Sequence, residues 1–439
     1  MFAAGETPSA PSQQEGPGAR HQAGCAACPK CRSLPRAADP YTGGDPTPAG
    51  RGGAREPGLR PGRAGSPQPP GQAAPADRPA LGVPVASIPD EGLRATLATM
   101  APGTALRDGL ERILRGRTGA LIVVGCDAVV ERICTGGFEI DIEFSATRLR
   151  ELCKMDGAVV LTTDGSRIVR AGVHLMPDPS IHSNESGTRH RTAERVAIQT
   201  GFPVISVSQS MHTIGLYMGD IHHLVEPSTQ ILSRANQALA TLERYKLRLD
   251  EVAASLSSLE IEDLVTIRDA VTVLQRLEMA RHIADEVEGH VIELGTDGRL
   301  LALQLDELMA GVDTDRELVV RDYLPDDADH RKALHAVDQM SSPELLDLIA
   351  VARALGYPNA PDVLDRRVSP RGYRMLAKVP RLPEAVIERV VDRFGALPEL
   401  LGVTVEELQD VDGVGPGRAQ SIRESLTRLA EVSILDRYL

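Results

Sequence analysis

The sequence contains no tryptophan, and aromatic residues make up only 3% of its 439 residues. Any hydrophobic core is therefore expected to consist of Leu, Val, Ile and Ala. No apolar run approaches the ~20 residues that a membrane-spanning helix needs, and the first residues lack the apolar segment of a secretory signal. These absences predict a cytoplasmic protein without a membrane partner.

Two kinds of nucleotide site are excluded by missing motifs. The chain has neither the G-x-x-x-x-G-K-[ST] loop of P-loop proteins nor a G-x-G-x-x-G turn after a strand. Positive charge is also in deficit, since the formal net charge is -13. A uniformly basic coat for nucleic acid is thereby excluded, although a local DNA-binding module is not.

The six cysteines do not form a disulfide framework in a chain of this length. Three lie in apolar or amphipathic segments and are predicted to be small buried residues: Cys126, Cys134 and Cys153. The other three follow His21 at a cramped spacing: Cys25, Cys28 and Cys31. Because a structural zinc site usually needs a second ligand pair further along the chain, a low-complexity segment is favoured over a metal site.

Composition and hydrophobic pattern divide the chain into four predicted regions. Residues 1–87 are rich in Pro, Gly, Ala and Gln and are predicted to be a disordered low-complexity extension. Residues 88–226 alternate helix and strand patterns, and residues 227–362 carry almost only helical patterns. Residues 363–439 are again helical but are interrupted by tight glycine turns.

Residues 88–226 are predicted to form an α/β domain, a mixed sheet flanked by helices. Strand patterns cover residues 119–125, 138–144, 158–163, 168–174, 204–207 and 214–218. Helical spacing covers residues 93–100, 106–114, 147–155 and 188–200. Asp164-Gly165 predicts a hairpin turn, and Gly201 is expected to close the last helix.

Residues 227–362 are predicted to form an all-α bundle. Pro227 suits the first position of a helix, and apolar residues then recur at three and four residues from Ile231 to Leu256. Further helical patterns cover residues 264–287, 300–309 and 345–355. The bundle is expected to be a spacer or an oligomer contact, and a plain scaffold is favoured.

Asp156-Gly157-Ala158 stands at the entry to a predicted strand. A carboxylate at a strand end can point into a cleft, bind a divalent cation and help to deprotonate a hydroxyl group. The pair alone is weak evidence, because most Asp-Gly pairs are turns.

A second segment places positive charge at the start of a helix. Residues 187–195 read Gly-Thr-Arg-His-Arg-Thr-Ala-Glu-Arg, and Thr188 is predicted to cap the helix. Two arginines and a histidine in the first turn oppose the helix dipole, so a bound anion is expected to compensate them. Helix N–H groups and guanidinium groups together predict a polyphosphate site. The alternative is a surface basic cluster paired with Glu194 and nearby acids.

Together, Asp156-Gly157-Ala158 and Gly187-Thr188-Arg189-His190-Arg191 resemble the paired signature of diadenylate cyclases. Residues 121–125, 172–175 and 204–208 also resemble segments of that family. After residue 88 the layout resembles that of DNA integrity scanning proteins, which are diadenylate cyclases with a C-terminal helix-hairpin-helix domain. The N-terminal extension departs from the family pattern.

The resemblance implies that two ATP molecules are condensed into cyclic di-AMP with release of pyrophosphate. Asp156 would bind Mg²⁺ or Mn²⁺ and activate the ribose 3′-hydroxyl, and Leu175 would pack on adenine. The other residues that would hold the nucleotide are Gly157, Ala158, Thr188, Arg189, His190, Arg191, Thr192 and Ser208. Because two ATP molecules react with each other, the resemblance also implies a homo-oligomer with facing cyclase domains. The implied assembly is an octamer. An isolated monomer would be inactive.

Residues 411–419 carry three glycines between predicted helices at 405–408 and 419–429. This segment resembles the hairpin of a helix-hairpin-helix motif, whose main-chain N–H groups meet a DNA phosphate without reading the base sequence. The DNA-binding residues would be Gly413, Gly415, Gly417 and Arg418. Residues 378–383 resemble a degenerate first copy of the motif. The alternative is a plain helical hairpin.

A basic stripe is predicted in the same region: Arg366, Arg367, Arg371, Arg374, Lys378, Arg381 and Arg418. Acids are also frequent there, so modest and salt-sensitive DNA affinity is expected. The resemblance implies a preference for branched or junction DNA, inhibition of synthesis by such DNA, and a nucleoid-associated role in DNA damage or repair.

The favoured function is therefore a diadenylate cyclase regulated by DNA binding. The alternative is a DNA-binding repair or recombination protein whose nucleotide site only senses ATP. Asp156 favours the cyclase, because a sensor needs the phosphate site but not a metal-bound base. A purely structural helical assembly leaves the basic start of the helix at Thr188 unexplained.

Overall fold

The computed structural model describes residues 91–436. The predicted extension, residues 1–87, and the three cysteines within it lie outside the described residues. Within the described range the chain forms seventeen α-helices and eight β-strands. Of these helices, none is both long and apolar enough to cross a membrane.

The first part of the described chain is an α/β domain. Its strands are β1 (Ala120–Val124), β2 (Cys134–Thr135), β3 (Phe138–Glu143), β4 (Ala158–Leu161), β5 (Arg167–Leu175), β6 (Val204–Val207), β7 (Ile214–Met218) and β8 (Ile221–Val225). Its helices are α1 (Glu91–Thr99), α2 (Ala105–Arg115), α3 (Ala128–Ile133), α4 (Ala146–Leu152) and α5 (Thr188–Thr200). The sequence patterns missed three of these elements: β2, β8 and α3.

The strands form one sheet in the order β2-β5-β4-β1-β6-β7-β8, with β3 also paired to β5. In the centre, Ile122 of β1 pairs in parallel with Val159 of β4 and antiparallel with Ile205 of β6. The other pairings are antiparallel. The predicted mixed sheet flanked by helices is confirmed.

Helices cover both faces of this sheet. On one face, Leu110 of α2 and Leu149 of α4 pack with Ile122 in one buried cluster. On the other face, Val196 of α5 packs with Val123 of β1 in a second cluster. Because the central strands are buried on both sides, they read as continuous apolar runs rather than as alternating patterns.

Helix α5 begins without a side-chain cap. Gly187 is its N-cap and Thr188 is already its first helical residue, so the prediction that Thr188 caps this helix is wrong by one position. The N–H groups of the first turn therefore keep no side-chain partner at the N-cap. The helix ends as predicted at Gly201, whose φ of 72° is left-handed.

A helical bundle follows the sheet. Its helices are α6 (Ser228–Ile261), α7 (Ile267–Leu294), α8 (Arg299–Met309), α9 (Val312–Tyr323), α10 (His330–Asp338), α11 (Ser342–Leu345) and α12 (Leu348–Ala354). Pro227 is the N-cap of α6 rather than its first helical residue. Leu239 and Leu242 of α6 pack with Ala280 and Ala284 of α7.

The last helices form a third hydrophobic core. They are α13 (Tyr373–Ala377), α14 (Glu384–Phe394), α15 (Leu397–Gly402), α16 (Val405–Gln409) and α17 (Pro416–Asp436). Ile261 at the end of α6 and Leu318 of α9 pack against this core. The C-terminal helices are therefore seated directly on the bundle.

Buried charges reinforce that contact. Asp322 at the end of α9 accepts hydrogen bonds from the backbone N–H groups of Gly372, Tyr373 and Arg374 at 2.7, 2.7 and 2.9 Å. Burial raises the pKa of Asp322 to about 7, and the negative charge of Glu260 adds to the shift. Glu260 of α6 in turn accepts a hydrogen bond from the Arg374 guanidinium. These contacts fix the start of α13 against the ends of α9 and α6.

Candidate active site and DNA interface

A cleft of about 1200 Å³ lies between β4, β5, the β6–β7 loop and the start of α5. Most of the predicted nucleotide-binding residues line this cleft: Gly157, Ala158, Leu175, Thr188, Arg189, His190, Thr192 and Ser208. Asp156 lies beside the cleft, directly before Gly157. Arg191 does not line it.

The Asp156 side chain is exposed and makes no hydrogen bond or ion pair with any other residue of the described range. The residue after it must be glycine because of the neighbouring strand. Gly157 has a φ of 112°, and a Cβ there would lie 2.6 Å from the Gly172 carbonyl carbon of β5. Glycine is thus required at this position by the neighbouring strand, whether or not a nucleotide approaches.

Arg191 holds the loop that precedes α5. Its guanidinium donates hydrogen bonds to the carbonyl oxygens of Glu185 and Ser186 at 3.4 and 3.2 Å. Glu194 accepts a hydrogen bond from Ser183 in the same loop. Arg191 therefore shapes the cleft through the loop, and Glu194 does not neutralise the basic helix start as the alternative interpretation expected.

Two guanidinium groups line the cleft without an acidic partner. Arg189 reaches only the Val207 carbonyl oxygen, at 3.5 Å, and Arg117 contacts the cleft from the turn after α2. Neither forms an ion pair with a carboxylate in residues 91–436. Two such cations in one cleft favour a bound anion. Arg117 was not among the residues predicted from the sequence, because its neighbours Arg115 and Gly116 resemble an ordinary helix end.

His190 is held by a short chain of hydrogen bonds, which was also not predicted from the sequence. Its Nδ1 lies 2.9 Å from Oη of Tyr217 on β7, and that hydroxyl donates to Glu185 at 3.0 Å. The His222 ring stacks on Tyr217 at 4.4 Å, and its Nδ1 lies 3.2 Å from the same Glu185 oxygen. Burial raises the pKa of Tyr217, and the hydrogen bond to Glu185 raises it further.

The site does not contain a preformed cluster of metal-binding side chains among the described residues. In the described part of the chain, no three His, Cys, Asp or Glu side chains converge as a metal site. Mg²⁺ is commonly held by one or two carboxylates together with substrate phosphates. The exposed Asp156, beside a cleft with guanidinium groups for phosphate, fits that mode of binding.

The cysteine predictions are confirmed only in part. Cys153 is buried, whereas Cys126 and Cys134 are half-buried. The last two flank the short helix α3.

The C-terminal region contains two hairpins with matching backbones. The first joins α13 to α14 and the second joins α16 to α17. In each, one residue of the turn is left-handed: Arg381 with φ of 60° and Gly413 with φ of 85°. The same N–H to C=O hydrogen bond closes both turns: Leu382 to Val379 at 3.4 Å and Val414 to Val411 at 3.0 Å. This match supports residues 378–383 as a first copy of the hairpin.

The second hairpin presents open backbone at the start of a long helix. Helix α17 begins at Pro416, three residues earlier than the predicted start at residue 419, so Gly417 and Arg418 lie in its first turn. Gly415 and Gly417 are exposed, and a Cβ on either would meet nothing within 4 Å. A helix N-terminus with this little cover is a favourable place for a phosphate group.

The predicted basic stripe is not continuous. Several of its cations are held by side chains of the bundle or of neighbouring turns: Arg366 by Asp362, Arg371 by Asp326, Arg374 by Glu260 and Lys378 by Ser257. These partners are distant in sequence for all but Arg366, so composition did not reveal them. Lys378, Arg381 and Arg418 are exposed at the two hairpins, and Arg367 is exposed before the first of them.

Comparison with known proteins identifies two matching family models. A model described as DisA bacterial checkpoint controller nucleotide-binding matches residues 107–221. A model described as DisA bacterial checkpoint controller linker region matches residues 225–364. The first match ends and the second begins within β8.

Curated relatives match most of the chain. DNA integrity scanning protein DisA of Frankia alni is 66% identical over 353 residues, which cover 80% of this chain and 98% of that protein. The protein of the same name from Streptomyces avermitilis is 63% identical over 352 residues, which cover 79% of this chain and 94% of that protein. A solved structure of a DacA variant from Staphylococcus aureus is 22% identical, with a TM-score of 0.25, and covers 31% of this chain and 90% of that chain. That TM-score is too low to bear on the fold.

Proposed function

The chain belongs to the DisA family of DNA integrity scanning proteins and is a diadenylate cyclase, and from this premise we propose that the cleft at α5 converts two ATP molecules into cyclic di-AMP under the control of DNA bound at the C-terminal hairpins. One observation carries the proposal. An exposed carboxylate, Asp156, stands beside a cleft that contains two guanidinium groups, Arg117 and Arg189, neither of which pairs with an acid of residues 91–436.

The start of α5 binds the triphosphate in this proposal. Its first N–H groups have no side-chain cap, and the helix dipole adds positive potential at the same place. Arg189 and Arg117 supply charge-assisted hydrogen bonds. Thr188, Thr192 and Ser208 add hydroxyl groups, and Leu175 packs on adenine.

The chemistry is an in-line displacement at phosphorus. The 3′-oxygen of one ATP forms a bond to the α-phosphorus of the other, and the bond from that phosphorus to the pyrophosphate oxygen breaks. Asp156 takes up the proton of the 3′-hydroxyl. A second, equivalent step closes the ring. Arg189 and Arg117 oppose the negative charge that gathers on the leaving pyrophosphate.

Membership of the family implies a divalent cation, and we propose Mg²⁺ or Mn²⁺ held by Asp156 together with phosphate oxygens. When bound, the cation would supply positive charge at the reacting phosphate and lower the pKa of the attacking hydroxyl. Asp156 is exposed and unpaired among the described residues, so no competing contact has to be broken first.

The reaction also requires two ATP molecules to face each other, so we propose a homo-oligomer, an octamer, with facing cyclase domains. Phe138 and Met155 support this arrangement, because both are exposed apolar side chains close to Gly172, next to Asp156. Light scattering during dilution would follow the assembly while turnover is measured. Full turnover by an isolated monomer would contradict the proposal.

Control by DNA is supported by the continuous structure that connects the cleft to the C-terminal hairpins. Helix α6 starts directly after β8 and runs for 34 residues, a length of about 51 Å at the usual helical rise. At one end, neighbouring residues of β8 contact the cleft network and the bundle: His222 lies near Glu185, and His223 lies 3.6 Å from Glu293 of α7. At the other end, Glu260 is bonded to the base of the first hairpin.

The proposed DNA contacts are non-specific. Gly413, Gly415 and Gly417 bring main-chain N–H groups to a phosphate, and Arg418 stabilises the turn through a 2.7 Å hydrogen bond to the Gly413 carbonyl oxygen. Lys378, Arg381 and Arg418 add exposed positive charge at the hairpins, and acids are frequent nearby, so modest affinity and strong salt dependence are expected. Several tails in one oligomer would then favour branched or junction DNA through multivalency. Such binding would associate the enzyme with the nucleoid.

One experiment tests both halves of the proposal. Full-length protein is incubated with ATP and Mg²⁺ or Mn²⁺, and the products are identified by mass, without DNA, with duplex DNA and with four-way junction DNA. Cyclic di-AMP and pyrophosphate are expected, and junction DNA is expected to lower the rate more than duplex DNA does. An unchanged rate at saturating junction DNA would overturn the regulatory half. ATP binding without any dinucleotide would instead favour a DNA-binding repair or recombination protein with an ATP sensor.

A further inference from the structure

We propose that Glu185 and Tyr217 are positioning residues for the cyclase reaction. They hold His190 with a proton on Nδ1, so that Nε2 binds the nucleotide phosphate as part of a positively charged imidazolium. The inference rests on the proposed function, because it takes the triphosphate to lie at the start of α5. Neither residue belongs to the two sequence segments that resemble the cyclase signature.

The proton positions follow from the donors and acceptors present. The Tyr217 hydroxyl has one proton and two partners, Glu185 at 3.0 Å and His190 Nδ1 at 2.9 Å. An ionised carboxylate can only accept, so Tyr217 donates to Glu185. The tyrosine oxygen can then only accept from His190, and Nδ1 must carry a hydrogen. Because burial and Glu185 both raise the pKa of Tyr217, the phenol stays protonated and the direction of the chain is fixed.

The ring must therefore be charged to bind a phosphate. With the hydrogen on Nδ1, Nε2 of a neutral ring carries a lone pair and would oppose a phosphate oxygen. Protonation turns Nε2 into a donor. The negative charge of Glu185, relayed by the Tyr217 hydroxyl, favours that protonated form. His190 makes no other side-chain hydrogen bond in the described part of the chain, so Nε2 remains available at the cleft that this residue lines.

Other charges around His190 work against the imidazolium until phosphate arrives. The titratable and charged groups of the surrounding elements are Arg189, Arg191 and Glu194 on α5, His222 on β8, and His174 and His212 across the cleft. Arg189 and Arg117 line the same cleft and disfavour a third positive charge there. A bound polyphosphate reverses this balance, so protonation of His190 and binding of phosphate are expected to be linked.

The position of Tyr217 is itself fixed. Only 1% of the residue is exposed, and the His222 ring lies parallel to it, with 5° between the planes. Removal of the hydroxyl alone should therefore leave the ring in place. Tyr217→Phe is accordingly a test of the hydrogen-bond chain rather than of packing.

The test measures pyrophosphate binding by calorimetry and the KM for ATP across neutral to alkaline pH, using the full-length enzyme. Tyr217→Phe is expected to weaken pyrophosphate binding and raise KM about tenfold, within the range for hydrogen bonds to charged groups. Without the acceptor for its Nδ1 hydrogen the charged ring is less favoured, so binding should decline at a lower pH than in the wild type. Glu185→Gln keeps an acceptor for Tyr217 but removes the charge, and it should shift the profile in the same direction. Tyr245→Phe, on α6 and outside the cleft, serves as the matched control.

The variant His190→Gln distinguishes the positioning role from the proposed phosphate site. If His190→Gln weakens pyrophosphate binding while Tyr217→Phe and Glu185→Gln keep wild-type affinity and pH profile, the positioning role is wrong and the proposed site stands. If His190→Gln also has no effect, the triphosphate does not lie at the start of α5 and both fail. Should Tyr217→Phe not fold, the pH profile of Glu185→Gln decides alone.

Discussion

Gly119 lies against the guanidinium of Arg189. A Cβ on Gly119 would come within 1.9 Å of Nη1 and 2.5 Å of Cζ of that arginine. The glycine directly precedes β1, and from the sequence alone it indicated only the boundary of a strand. In the folded chain it makes room for the cation that we propose to hold the triphosphate.

Gly119→Ala should therefore impair ATP binding with little effect on folding. The colliding atoms are the end of a flexible side chain, which can turn away, but Arg189 then loses its place in the cleft. A weakened charge-assisted hydrogen bond corresponds to a KM for ATP raised by roughly tenfold. Steady-state kinetics and thermal melting measure the two effects. Gly402→Ala is the control, because a Cβ there meets nothing within 4 Å. Equal KM values for the two variants would contradict the contact.

Arg117 provides a second test of the phosphate site. Its backbone φ is 50°, a conformation that glycine adopts without strain. Arg117→Gly should therefore remove the guanidinium while preserving, or slightly increasing, the free energy of unfolding. We expect a raised KM for ATP and weaker inhibition by pyrophosphate, both more marked at low salt. Arg115→Ala removes an exposed arginine of the same region that pairs with Glu111 at 3.2 Å, and it should leave both constants unchanged. Unaltered pyrophosphate inhibition in Arg117→Gly would remove this residue from the site.

Asp156→Asn separates catalysis from binding. The amide cannot take up the 3′-hydroxyl proton and is a poor ligand for Mg²⁺, so synthesis of cyclic di-AMP should be abolished. ATP and DNA binding should remain close to wild type, since the guanidinium groups and the hairpins are untouched. Product formation, ATP affinity and DNA affinity are measured on the same preparation. Asp108→Asn, at an exposed position on α2, is the control. Full activity of Asp156→Asn would show that the proposed mechanism is wrong.

The fold was predictable where one kind of pattern dominated. The apolar run of β1 and the three-and-four spacing of α6 each pointed to the element that forms, and the family resemblance and the mixed α/β sheet are confirmed. β8 was missed because its core is His222-His223 rather than an apolar pair. His222 contacts the hydrogen-bond network of the cleft, whereas His223 contacts α7. These two contacts are visible only in the three-dimensional structure.

The candidate site was predictable in its signature residues but not in their support. Residues from both predicted segments line one cleft, yet Arg117, Glu185 and Tyr217 come from separate parts of the chain. Local spacing cannot reveal a hydrogen-bond chain that closes through a sheet. The same limit explains why the interruption of the basic stripe was not predicted. The acid that pairs with Arg374 is Glu260, which is far away in sequence.

The DNA hairpin can be tested by two glycines with the same backbone strain. Gly413 in the second hairpin and Gly395 after α14 have φ of 85° and 81°, so an alanine costs each about 1–2 kcal/mol. Only at Gly413 would the new Cβ also meet a neighbour, Arg389 Nη2 at 2.7 Å, whose guanidinium holds the Asp412 carbonyl oxygen. Gly413→Ala should weaken junction-DNA binding several-fold and abolish the DNA effect on cyclic di-AMP synthesis, while the KM for ATP is retained. Gly395→Ala should melt at a similarly lowered temperature yet keep DNA binding and the DNA response. If both variants bind junction DNA alike in a fluorescence anisotropy titration, the hairpin at Gly413 is not the DNA contact.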